Sequence, residues 1–136
     1  MSRLSYSENN SNDDLTLAKE LLMNLIEIGA DPNACKTLIC LHVHGPSTST
    51  ELQTRCGFRQ PDVSVAINLL KSLELIEVST LLKKSRGRPT QSYSLAVSLQ
   101  DALEPFKEEA FSNLKRINSR LSLISDLTEK VSLMAE

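Results

Sequence analysis

A chain of 136 residues with a formal charge of −2 has room for one compact domain and an appended element, and exerts no global pull on nucleic acid or membrane. Hydrophobic residues make up 40% and aromatic residues 4%, with no Trp, so the core is aliphatic and rich in Leu and Ile, which favours helix-on-helix packing. No apolar run is long enough to span a bilayer, and MSRLSYSENNSN lacks the apolar stretch of a signal peptide; a cytoplasmic protein with no membrane partner is expected.

Residues 1–12, rich in Ser and Asn, read as a disordered tail. From Asp13 the pattern becomes helical: Leu17, Leu21, Leu22, Leu25, Ile26 and Ile28 fall largely on one stripe, which predicts a helix over about 14–28 closed by Gly29. Asp13 and Asp14 stand in its first turn, where the helix dipole favours acids. A second helix opens with Asp31 as N-cap and Pro32 behind it, carries Leu38, Cys40 and Leu41 inward, and stops at Gly45-Pro46. STSTELQTRCG follows with the capping-box spacing Thr48-x-x-Glu51, and so predicts a short helix ended by Gly57. Gln60-Pro61 then starts a longer helix, about 60–74, whose Val63, Ala66, Ile67, Leu70 and Leu73 recur at helical spacing.

Then the period changes. Ile76, Val78, Thr80 and Leu82 alternate, with three of the four β-branched, and QSYSL supplies a return strand with Tyr93 and Leu95 on one face. The two strands flank KKSRGRP, so a β-hairpin is expected with Lys83, Lys84, Arg86 and Arg88 around Gly87 at its tip. No acid lies between Glu77 and Asp101, so the positive charge is concentrated in this one turn. From Ser98 the chain is helical again, with Ser98-x-x-Asp101 as its start and Pro105 expected to break or kink it or to begin a fresh helix. Beyond the proline, Leu114, Ile117, Leu121, Ile124, Thr128 and Val131 alternate spacings of three and four, a heptad seam with one polar member.

This order of elements is that of a winged helix-turn-helix: a mainly α fold with a small β-hairpin, followed by a long C-terminal helix of coiled-coil character. The organisation expected is a tail over 1–12, a DNA-binding domain over 13–97 and a dimerisation helix over 98–136. GPSTSTELQTRCGFRQPDVSVAINLLKSLELIEV resembles the helix-turn-helix core of the TrmB-type and MarR-type transcriptional regulators, and GRPTQSYSL is similar to their wing. The resemblance spans about residues 20–97 and implies a dimeric regulator of promoters that binds double-stranded DNA. By that likeness the helix from about 60 to 74 enters the major groove, with Arg59, Gln60, Ser64, Val65 and Asn68 as base-reading candidates. Thr48, Lys71, Lys83, Lys84, Arg86, Gly87 and Arg88 are the candidates for phosphate or minor-groove contact. This sequence departs from the family pattern at Val65, often basic there, at Asp62, often a hydroxyl, and at Glu74, commonly glycine.

The seam on the C-terminal helix is too long for one small domain to cover. A homodimer through Leu114, Ile117, Leu121, Ile124, Thr128 and Val131 is therefore expected, aided by the first helix; the alternative is a helix folded back over its own domain. Cys35, Cys40 and Cys56 form no CxxC pair and read as buried apolar side chains. CLHVH brings Cys40, His42 and His44 close in sequence, but residues two apart on a helix do not share a face, so no metal and no cofactor is expected. No phosphate loop, nucleophile elbow or HExxH motif is present, which points away from an enzyme. A winged helix used to hold another protein in a transcription or chromosome complex is the alternative function.

Overall fold

The computed structural model describes residues 10–81 and 89–134. In chain order the elements are α1 (Asn10–Glu27), α2 (Pro32–His44), β1 (Ser47–Thr48), α3 (Ser49–Cys56), α4 (Gln60–Ser72), β2 (Ile76–Leu81), β3 (Thr90–Leu95) and α5 (Leu99–Met134). The strands form one antiparallel sheet in the order β1-β3-β2. Helix, helix, strand, helix, helix, hairpin is the connectivity of a winged helix-turn-helix.

The core forms around α2, which buries Ala34, Cys35, Thr37, Leu38, Ile39, Cys40 and Leu41 on nearly every side. Leu25 of α1, Leu52 of α3, Val63, Ile67 and Leu70 of α4 and Ala102, Leu103 and Phe106 of α5 pack around it. An aliphatic core follows from the composition, and Phe58 and Phe106 are its buried rings. The capping residues read in the sequence do their expected work. Asp31 accepts from the backbone N–H of Asn33 at 3.0 Å and of Ala34 at 3.2 Å. Thr48 and Glu51 exchange hydrogen bonds, the Thr48 N–H donating to Glu51 at 2.9 Å and the Glu51 N–H to the Thr48 hydroxyl at 3.2 Å. Ser98 accepts from the N–H of Asp101 at 3.1 Å.

Three features differ from the sequence reading. First, β1 is additional to the elements expected; its two residues are too few to show a period, and it exists because Ser47 and Thr48 pair with Tyr93 and Ser92. Second, α5 runs through Pro105 as one element of 36 residues, about 54 Å long. Pro105 forfeits one backbone bond to Asp101, but its neighbours Ala102, Leu103 and Phe106 are all locked into the core, which holds the turn in place. Third, α1 begins at Asn10, a turn earlier than expected, and of its stripe only Leu25 is fully buried and Leu21 and Leu22 partly so, while Leu17, Ile26 and Ile28 are exposed. The fold-back alternative for the C-terminal helix does not occur: every side chain from Phe111 to Met134 is exposed.

Glu74 stands where α4 hands over to β2, with φ +60°, the left-handed conformation that glycine adopts most easily. Its N–H donates to the Lys71 carbonyl at 2.9 Å, and the Leu75 N–H donates to the Leu70 carbonyl at 3.0 Å. This is a Schellman motif, in which buried Leu70 and Leu75 supply the usual apolar contact. The turn survives the missing glycine because its hydrogen bonds and that contact are all made.

Candidate nucleic-acid interface

Helix α4 divides cleanly by face. Val63, Ala66, Ile67 and Leu70 point into the core, and Gln60, Ser64, Val65, Asn68 and Lys71 point outward. Packing alone demands this split, since α4 rests on α2 and α3. The helix begins at Gln60, with Arg59 as the exposed N-cap residue. Asp62 bends back to accept from the Arg59 N–H at 3.0 Å. The acid that departs from the family pattern therefore satisfies an orphan donor and the positive end of the helix dipole. Gln60 Nε2 donates to the Ser64 hydroxyl at 3.1 Å, so two base-reading candidates brace one another across one helical turn. Val65 is 66% exposed, an unusual position for a β-branched apolar side chain.

The turn between α3 and α4 is set by Gly57, at φ +70°, which ends α3 and lets the Phe58 N–H return to the Gln53 carbonyl at 3.0 Å. Phe58 is then buried, and Lys36 of α2 lies 5.6 Å from its ring centroid. The turn of the helix-turn-helix is thus anchored to α2.

The sheet ties the hairpin to the start of α3. Because β1 pairs with β3, the Thr48 cap is only a strand's width from Ser92 and Tyr93. Thr48, Ser49, Thr50, Thr80, Thr90 and Gln91, with Pro89 and Tyr93, line one cleft between the first turn of α3 and the end of the ribbon away from the core. Glu51 is held below the usual carboxylate range, chiefly by the Thr48 N–H and also by Arg55. Sequence reasoning singled out Thr48 but passed over Arg55 and the other cleft hydroxyls. Arg55 donates to Ser47 at 2.7 Å and lies 3.9 Å from Glu51, so it fastens α3 to β1. Nothing in the spacing of these residues announces that contact, which exists only once β1 has paired.

The hairpin itself runs in the register Ile76↔Leu95, Val78↔Tyr93 and Thr80↔Gln91. Only Ile76 of β2 is buried, because the ribbon leaves the core beyond it. Tyr93 packs against the core and donates to Gln91 at 3.3 Å, an anchor for the ribbon. Leu82, Lys83, Lys84, Arg86, Gly87 and Arg88 lie outside the described residues, as do the first nine residues of the expected tail.

The cysteines are all buried free thiols, and His42 and His44 are exposed at the end of α2 while Cys40 faces α3, so CLHVH does not converge on one point. Burial, with the nearby Asp31 charge, pushes the Cys35 thiol up to about 11. Cys40 and Cys56 share a hydrogen bond between α2 and α3. That bond and the nearby Arg55 bring Cys40 down to about 7, whereas the same bond and burial raise Cys56.

No model of a known protein family matches the sequence, and no curated protein matches it. Among solved structures, the chain is similar to a MarR family regulator from Neisseria meningitidis, at 17% identity over 97% of this chain and 99% of that one, with a TM-score of 0.47. A transcriptional regulator from Thermotoga maritima is similar at 16% identity over 92% and 90%, TM-score 0.47. Pex from Synechococcus is similar at 22% identity over 57% and 78%, TM-score 0.43. The winged-helix assignment itself stands on the connectivity and sheet order described above.

Proposed function

We propose that this chain is a sequence-specific, DNA-binding transcriptional regulator of the MarR-like kind that its sequence resembles. The observation that carries the reading is the outward face of α4, where Gln60, Ser64, Val65, Asn68 and Lys71 stand clear of the core on the helix that leads into a hairpin with a cationic tip sequence. A helix fits the major groove, in which Gln60 and Asn68 suit adenine, Arg59 suits guanine or phosphate, and Val65 suits the thymine methyl group. Thr48 and Lys71, with Lys83, Lys84, Arg86, Gly87 and Arg88, supply the phosphate or minor-groove contacts in this reading. Local charge of this kind lets a mildly acidic protein bind a polyanion, since only the docking face has to be positive.

Residues 13–97 form the DNA-binding unit in this reading and 98–136 the dimerisation helix, by which two copies present two α4 helices to one duplex. No helix among the described residues is long and apolar enough to cross a membrane.

The test starts by selecting bound fragments from a random-duplex pool. Gln60→Ala and Asn68→Ala are then measured on the selected site and on its single-base variants. Each substitution should relax preference at one base position by about 1–3 kcal/mol. A uniform loss at every position would overturn the base-reading assignment. Failure of the native chain to retain any duplex at low salt would favour the protein-interaction alternative.

A further inference from the structure

We propose that Cys40 and Cys56 are a redox-active pair, which a hydroperoxide converts to a disulfide within one chain. This goes beyond the DNA-binding reading, and only its effect on duplex affinity rests on that reading. Cys40 lies on α2, and Cys56 is the last residue of α3, one turn beyond buried Leu52. Far apart in sequence, their thiols share a hydrogen bond between the two helices.

The three cysteines are not equivalent. Cys35 is 0% exposed, with its thiol pushed up to about 11, whereas Cys40 and Cys56 at 8% and 5% still touch solvent. Arg55 stands near both members of the pair, fastened to Ser47 at 2.7 Å and 3.9 Å from Glu51. The hydrogen bond from Cys56, with that guanidinium, brings Cys40 down to about 7. At pH 7 about half of Cys40 is therefore thiolate, against roughly one part in ten thousand of Cys35. Cys56, raised by the same bond and by burial, keeps its proton. One sulfur is thus fit to attack and its neighbour to resolve.

The Cys40 thiolate attacks one peroxide oxygen, the O–O bond breaks, and the other oxygen leaves and takes up a proton as an alcohol, or as water from hydrogen peroxide. Cys40 is then a sulfenic acid. The Cys56 sulfur attacks it, the S–S bond forms, and the hydroxyl departs as water with the Cys56 proton. Two thiols lose two electrons and the peroxide gains them.

The new bond acts on α4 through α3. A disulfide holds its sulfurs about 2.0 Å apart, closer than hydrogen-bonded thiols, so α3 shifts on α2 by on the order of an ångström. The packed core around Leu38 and Leu52 cannot absorb that shift by compression. Only Gly57, Phe58 and Arg59 separate Cys56 from α4, and the Phe58 N–H is bonded back to Gln53 of α3. The displacement is passed to the outward face of α4, and the oxidised chain holds duplex DNA less tightly.

The test uses the full native chain, reduced, freed of reductant, treated with hydrogen peroxide at pH 7 and digested for peptide mapping by mass spectrometry. The peptides holding Cys40 and Cys56 should be joined, with Cys35 recovered as a free thiol and dithiothreitol reversing the bond. The oxidised chain should run as a monomer on a non-reducing denaturing gel. In Cys56→Ser, dimedone should trap the sulfenic acid on Cys40, and Cys35→Ser should behave as the native chain. Free Cys40 and Cys56 after peroxide, a bond through Cys35, or a covalent dimer would each overturn the pair. An unlabelled Cys40 in Cys56→Ser would overturn the order of attack. On a duplex selected as above, oxidation should weaken binding about 5- to 150-fold and leave Cys40→Ser unaffected. Equal affinity before and after oxidation would overturn the transmission to α4. A reduced chain that retains no duplex would remove the DNA reading itself, with the disulfide already decided by the peptide map.

Discussion

Replacing Glu74 with glycine should stabilise the protein. At φ +60° a residue with a Cβ carries a cost of about 1–2 kcal/mol, and a glutamate at the end of a helix adds a few tenths by opposing the dipole. Glycine removes both but enlarges the freedom of the unfolded chain by about 0.5–1 kcal/mol. The net gain is about 0.5–1 kcal/mol, a two- to fivefold shift in the folding equilibrium. The molecule contains its own comparison: α1 ends in the same motif with Gly29, whose N–H reaches Ile26 at 2.9 Å while that of Ala30 reaches Leu25 at 3.0 Å. A Cβ added at Gly29 or at Gly57 would meet no atom within 4 Å, so any cost of alanine there is conformational. Urea unfolding followed by far-UV circular dichroism, at one fixed protein concentration, gives the midpoints for Glu74→Gly, Glu74→Ala, Gly29→Ala and Gly57→Ala. Glu74→Gly should rise above the native chain, Glu74→Ala should change little, and the two glycine variants should each fall by about 1 kcal/mol. A Glu74→Gly midpoint at or below the native value, with the glycine variants falling as expected, would show that the turn does not carry the stated strain.

Three further outcomes are expected. Thr48→Ala removes the α3 cap and should cost about 1 kcal/mol in the same assay; a neutral result would mean that the β1–β3 pairing holds the turn without it. The raised Cys35 thiol keeps its proton in the folded chain after the unfolded chain has released it, so its contribution is complete below about pH 9 and is lost as pH rises towards 11. The native chain should therefore lose about 2–3 kcal/mol more than Cys35→Ala over that window, and parallel pH profiles would refute the assignment. Replacing Arg86 and Arg88 together by Ala should weaken binding to every duplex alike and flatten the salt dependence by about one unit of slope for each phosphate no longer neutralised; an unchanged slope would remove the wing from the mechanism.

Much of this protein was legible in its sequence because its signals are local. Asp31-Pro32, Thr48-x-x-Glu51 and Ser98-x-x-Asp101 act within four residues of themselves, so each could be read as a helix start before any tertiary contact existed. The inward face of α4 follows from helical spacing for Val63, Ala66, Ile67 and Leu70; Leu73, which the same spacing placed in the core, is 39% exposed because the helix ends at Ser72 and the chain turns away. The exposed apolar seam of α5 was likewise visible as a repeat, because a heptad needs only its own period.

Other features depend on what meets what. A two-residue β1 has no period and exists only through Tyr93 and Ser92 of β3, and the link from Arg55 to Ser47 follows from that pairing. A proline in α5 reads locally as a break; Ala102, Leu103 and Phe106, wedged into a core assembled from distant segments, hold the helix together instead. Glu74 reads as a poor residue for a left-handed turn, yet the closed Leu70–Leu75 contact outweighs its local preference. Local sequence thus determined where α2, α3 and α5 begin and which faces are apolar, since those are properties of short windows. Which faces are covered, which turn bears strain and which strand ties the hairpin to α3 were decided by packing, because only the folded chain brings those residues within a few ångströms of one another.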